Sequence, residues 1–130
     1  MIVNEGLDYI LDQFFGSDVF YVGLKGSGTI AAADTMSSHS GWSEVEDYDE
    51  AVRQTLTVGS ASSQSIDNSA SVATFTISAS VTVAGYFLTT DDSKGGTSGT
   101  LVSAGDFTSA QSAVDDDVVE ITLTFTAADA

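Results

Sequence analysis

The 130-residue sequence contains no cysteine, which excludes disulfide staples and thiolate metal sites. It contains no proline, so an exposed strand edge must be protected by charge or by pairing with another subunit. Basic residues are almost missing. Lys25, Arg53 and Lys94 stand against 19 acidic residues, for a formal net charge of −16. Phosphate contacts need clustered Lys or Arg, so direct binding to nucleic acid is disfavoured, as is binding to an anionic membrane. One histidine, His39, and no thiol leave little from which to build a nucleophilic or acid–base site. No apolar run approaches the roughly twenty residues of a membrane-spanning helix. The first ten residues hold Glu5 and Asp8 and no basic segment, so a signal peptide is not expected. The expectation is one soluble domain over residues 1–130, long enough to bury a single core. Its charge repels itself at low ionic strength. A saline habitat, favoured by the excess of Asp over Glu and the scarcity of Lys, or a basic partner would relieve that repulsion.

Against these absences stands one strong pattern. Ala73, Phe75, Ile77, Ala79, Val81 and Val83 are apolar at every odd position, and Thr or Ser fills every even one between them. Side chains of a strand alternate between two faces, so this spacing puts one face in a core and the other in water. The run exceeds a usual strand of about five to six residues. It therefore predicts strands near 72–78 and 81–90 with a bend at Ser78–Ser80.

The remaining elements follow in order. Residues 4–15 predict a helix, because Leu7, Ile10, Leu11, Phe14 and Phe15 form one apolar stripe. Asn4 is the expected N-cap and Gly16 the expected stop. The stripe either packs on the β core or docks on a neighbouring subunit. Val19–Leu24 reads as a strand covered on both faces, one of them by the helix, with a turn at Gly26–Gly28. Residues 30–49 read as a long irregular connection. Within it Trp42 is either a plug over the core or a contact to a partner. Glu44, Glu46, Asp47, Asp49 and Glu50 crowd one stretch without calcium-loop spacing, which reads as a solvated acidic loop with Arg53 as local counter-ion. Residues 53–58 read as a strand, and 59–71 as a loop with a short strand around Ile66 and a turn at Asp67–Asn68. Asp91–Gly99 is a turn; its Lys94-Gly95-Gly96 lacks phosphate-loop spacing. Strands at 100–107, with a bend or bulge at Gly105, and at 118–127 flank a turn at Asp115–Asp117, and the tail 127–130 is expected to fray. The fold class expected is mainly β: an antiparallel β-sandwich or jelly-roll-like barrel of about seven strands with one N-terminal helix.

The segments NEGLDYILDQFF, YVGLKGSG, AAADTMSSHSGWSEVEDYDEAVRQ, DDSKGGTSGTLVSAGDF and ITLTFTAA follow one another in an order that resembles small structural proteins of tailed bacteriophages. One departure is Asp115-Asp116-Asp117, where that group has a Gly-Asp turn. The resemblance implies a non-enzymatic virion protein without cofactor or bound metal. It is most directly a capsid decoration or cement protein on the capsid exterior, partnered by the major capsid protein and assembled as a homo-oligomer, a trimer favoured. A tail component (adaptor, tube-associated or fibre-attachment protein) is the alternative, and a carbohydrate-binding module a more distant one. The residues expected to touch neighbours are Trp42, Tyr48 and the turn residues Asp91, Asp92, Lys94, Gly95 and Gly96.

Overall fold

The computed structural model describes residues 1–129 and bears out a mainly β chain with one N-terminal helix. Helix α1 (Asn4–Gly16) is followed by strands β1 (Tyr21–Gly28), β2 (Trp42–Val45), β3 (Gln54–Thr55), β4 (Ser65–Asp67) and β5 (Ala73–Thr76). Then come β6 (Val81–Thr89), β7 (Leu101–Ala113), β8 (Val118–Ile121) and β9 (Thr124–Thr126). All strand pairs are antiparallel. The largest sheet runs β2-β1-β6-β7, with β3 pairing the start of β1 beside β2. Two ribbons, β4-β9 and β5-β8, complete the set, and the sheets do not close into a barrel.

The main core lies between one face of the large sheet and the ribbons. Val22, Leu24, Val83 and Leu88 from the sheet meet Ala73, Phe75 and Ile121 from β5-β8, and Ile77 just after β5. The alternation that predicted β5 and β6 is real, but it breaks twice. Ala79 is exposed at the bend. Between Val83, which pairs Gln111, and Gly85, which pairs Asp106, four residues of β7 (107–110) face Ala84 alone. A bulge of this kind shifts side-chain parity. Val83 below it and Leu88 above it therefore reach the same core, while Phe87 turns to the opposite face. The bulge predicted at Gly105 thus lies at 107–110. It also interrupts the edge strand β7, whose single charge, Asp106, is engaged by Lys25; kinking an edge is one way to protect it without proline.

The two ribbons are one strand pair with an insertion. Asp67 pairs Thr124 and Ala73 pairs Ile121, so five residues, 68–72, face only two, 122–123. Asn68 bridges the gap. Its Nδ2 donates to the Ile121 carbonyl (3.0 Å) and its Oδ1 accepts from the Leu123 amide (2.8 Å), so a side-chain amide replaces a missing peptide group. This is why the single closing strand expected over 118–127 is divided into β8 and β9.

The helix differs from expectation in detail. Asn4 is its first residue and Val3 caps it without a side-chain hydrogen bond; it continues through Gly16, and the Ser17 hydroxyl closes it on the Phe14 carbonyl (2.8 Å). Only Leu7 and Leu11 of the stripe are buried, with Phe15 packed against Phe20 and Phe125. Asp8 and Asp12 accept the amides of Gln64 (2.6 Å) and Ala61 (2.7 Å), which fastens the helix to the loop before β4. The helix thus covers the β4-β9 end and, through Phe14 (5.1 Å between ring centroids) and Phe15 on Phe20, the start of the stretch expected as a strand over 19–24, while β1 begins one residue after Phe20. β1 itself runs on through Gly26–Gly28, where a turn was expected, because it pairs there with β2. No helix among the described residues is long and apolar enough to cross a membrane. Ala130, last residue of the tail expected to fray, lies outside the described residues, and Asp129 accepts the Ile2 amide (3.1 Å).

Candidate interaction site

β2 lies inside the connection that read as irregular, and it carries the residues that organise this end of the molecule. Two strand neighbours, Trp42 and Glu44, sit on the face of the sheet opposite the main core. Phe87 is directed there by the bulge opposite Ala84 and lies across Gly23 of β1, where a Cβ would run into its ring. Only glycine fits that contact. Trp42 packs on Phe87 (5.4 Å between ring centroids), and Met36 completes a second buried cluster. The loop 29–41 is held over this cluster by polar contacts at both ends. Asp34 accepts the Trp42 indole N–H (3.0 Å) and the Ala31 amide (2.8 Å), and the His39 ring stacks on Trp42 at 4.1 Å. The Ala31 amide first, and then the indole, hold the Asp34 carboxyl below the usual carboxylate range.

On the other side of Phe87 lies Arg53, only 1% exposed. Its guanidinium stacks over the Phe87 ring at 5.1 Å and grips Glu44 with two bonds, Nε to Oε2 (2.9 Å) and Nη2 to Oε1 (2.7 Å). The remaining donors reach the carbonyls of Asp91 (2.8 Å) and Gly96 (2.9 Å). The Arg53 amide donates to the Asp92 carbonyl (2.9 Å). One planar fork therefore ties β2 and the 91–99 turn to the sheet, a use that lysine could not match. Glu44 also accepts the Gly95 amide (3.1 Å). Gly95 has φ +76° with its bare Cα against the Glu46 carboxylate, a position closed to side chains. Lys94 donates to the Tyr48 carbonyl (2.8 Å) and lies 4.2 Å from the centroid of the Tyr48 ring. The Tyr48 ring is buried against Phe75 (5.0 Å), and its hydroxyl has no hydrogen-bond partner among the described residues. Burial first, then the Glu44 charge, pushes its phenol well above the ordinary tyrosine value.

All seven residues expected to touch neighbours thus converge on one end, around Arg53 and Glu44. Their contacts are internal. Trp42 and Tyr48 are buried, so Trp42 is the plug of the two readings, and Tyr48 belongs to the main core. Asp91, Asp92, Lys94 and Gly96 are half-buried, leaving Ser93, Gly95 and residues 97–100 as the exposed rim of the turn. Arg53 pairs with a carboxylate of the acidic run as expected, but its partner Glu44 is not part of a solvated loop: its side chain is 9% exposed. Glu50 likewise points inward and accepts the Thr76 amide through both oxygens (2.9 and 3.0 Å). Among the described residues no group of three or more His, Cys, Asp or Glu side chains is arranged to hold a metal ion.

Sequence reasoning missed Lys25. Charged and followed by Gly26, it stood next to the turn expected at Gly26–Gly28. It is fully buried, and its ammonium donates to the carbonyls of Gly26 and Gly28 (both 3.0 Å) and to Asp106 (2.6 Å). The scarcity of cations was the available signal: Lys25 and Arg53 are buried and Lys94 is half-buried, each engaged by carbonyls, a carboxylate or an aromatic ring. The outer surface is left almost purely anionic. Comparison with protein-family models, with curated proteins and with solved structures returned no match.

Proposed function

We propose that this protein is a non-enzymatic structural component of a bacteriophage virion, most specifically a capsid decoration protein. It would sit on the exterior of the head as a homo-oligomer, with a trimer the favoured order, against the major capsid protein. Its finer architecture is that of a β-sandwich, with the ribbons forming the second layer. The observation that carries the reading is the ordered resemblance along nearly the whole chain. Its motifs fall on residues that hold the fold: Asp34 and Trp42 pin the 29–41 loop, and Lys94 and Gly95 pin the 91–99 turn. A surface so poor in lysine and arginine also suits a position outside a shell that encloses nucleic acid, since it offers no cluster of cations to phosphate.

A tail location is the second reading, and copy number separates the two. Mass spectrometry of purified particles should give this chain in a small-integer ratio to the most abundant shell protein. A ratio of a few per hundred would move it to the tail, where symmetry-matched assembly needs about a dozen copies or fewer. The glycan-binding reading is weakened by the aromatic side chains themselves. Trp42 and Tyr48 face inward, and the Tyr86 hydroxyl is engaged with Ser103 (3.0 Å), so these rings form no open platform for a sugar.

A further inference from the structure

The helix has three sectors. Leu7, Leu11 and Phe15 face the protein, and Asp8 and Asp12 are turned to the 61–64 loop, whose amides they bind. Helical spacing puts Val3, Ile10 and Phe14 together on a third sector with Tyr9 beside them. These four are between 43% and 63% exposed. Ile2 folds back against Gly6 within the same sector, and Val19 extends it beyond the helix end. Among the described residues, seven of the ten exposed large apolar side chains lie within residues 1–19. Elsewhere exposed apolar groups are scattered singly, which is ordinary for a soluble surface; a concentration of this kind is not.

We propose that this sector packs against the same helix of a second copy of the chain. The area fits: the exposed parts of these side chains amount to on the order of 700 Å² per copy, near the about 800 Å² that each partner contributes to a standard interface. The charges fit as well. With Lys25, Arg53 and Lys94 all engaged internally, two copies have no free lysine or arginine among the described residues to pair with the other's carboxylates, so apolar burial has to supply most of the attraction. The helix presents the surface on which this is feasible, because Asp8 and Asp12 point away from the sector. The only polar side chain between Tyr9 and Phe14 on that side is Gln13, which is uncharged.

The inference deepens the oligomeric part of the proposed function, and it is tested with the purified full chain in the absence of particles. Sedimentation equilibrium at 0.1 M and 1 M NaCl should show self-association that strengthens with salt, as screening removes the repulsion between two highly acidic bodies. Ile10→Asp should leave the circular dichroism spectrum unchanged and weaken association at least tenfold. Val118→Asp, a change at an exposed apolar residue far along the chain, should leave association as in wild type. A chain that is monomeric at both salts up to several hundred micromolar would overturn the proposal and assign the sector to a different protein. Association that survives Ile10→Asp would overturn it too, and so would association that weakens with salt. Absence of the chain from purified particles would defeat the virion reading alone and leave the self-association standing.

Discussion

Arg53→Met removes a planar cation from a site almost closed to solvent. The variant keeps a side chain of similar length over Phe87 but leaves the Glu44 carboxylate with one bond, from Gly95, and strips the Asp91 and Gly96 carbonyls of their donor. Breaking a buried ion pair from one side costs about 3–5 kcal/mol, most of it the desolvated charge left behind. That is a large part of the roughly 5–15 kcal/mol that holds a domain folded. With an unfolding entropy of about 2.1 cal/mol/K per residue, the same loss lowers Tm by about 11–18 °C for 130 residues. Urea unfolding followed by circular dichroism measures it, run in 1 M NaCl so that the extra net negative charge of the variant is screened. Combining Arg53→Met with Glu44→Met should recover about 1–3 kcal/mol, since no orphan charge remains. Hydrogen exchange at Gly95 should accelerate in the single variant before global unfolding. A loss below about 1 kcal/mol, with no recovery in the double variant, would refute the reasoning: Glu44 would then be hydrated in solution and the turn held by other contacts.

Four further outcomes are expected. Asn68→Ala leaves the Ile121 carbonyl and the Leu123 amide unpartnered in the interior and should cost about 2–4 kcal/mol in urea unfolding. Tyr48→Phe deletes a hydroxyl without a partner and should raise stability by about 1 kcal/mol. Because the folded Tyr48 phenol titrates above its unfolded value, wild-type stability is intact below about pH 10 and falls as pH rises beyond it; Tyr48→Phe should flatten that alkaline slope. Asp34 is shifted the other way, so its contribution is present above about pH 3.9 and lost as pH falls further. Trp42, the sole tryptophan, reports this directly: its emission should hold steady on acidification to that range and shift to the red only below it, and Asp34→Ala should shift it at neutral pH.

The parts of the fold that were legible from sequence are those where one local rule decides. The alternation at 73–77, the apolar spacing of α1, and the Gly- and Asp-rich turns at 91–99 and 115–117 each carry their own signal. What was illegible depends on partners far along the chain. β2 is four residues long and carries Glu44, so it resembles a polar loop until β1 supplies its hydrogen bonds. The bulge opposite Ala84 leaves no trace in composition, yet it sends Phe87 to a second face and so creates the Trp42 cluster. Asn68 looked like an ordinary turn residue, and its role as a substitute peptide emerges only when β8 and β9 are brought beside it. The candidate contact residues lie together at one end of the molecule, and the two aromatics among them, Trp42 and Tyr48, are covered by the chain itself, which a polar loop sequence does not reveal.

Trypsin cuts after lysine and arginine, and here those residues are three structural pins. Lys25 and Arg53 are sealed in the interior, and Lys94 is clasped against Tyr48. The folded molecule therefore offers such a protease almost nothing to cleave, and each cut would have to wait for the chain to open. Digestion becomes a clock for unfolding. A protein built this way would outlast its neighbours wherever proteases of that specificity are abundant.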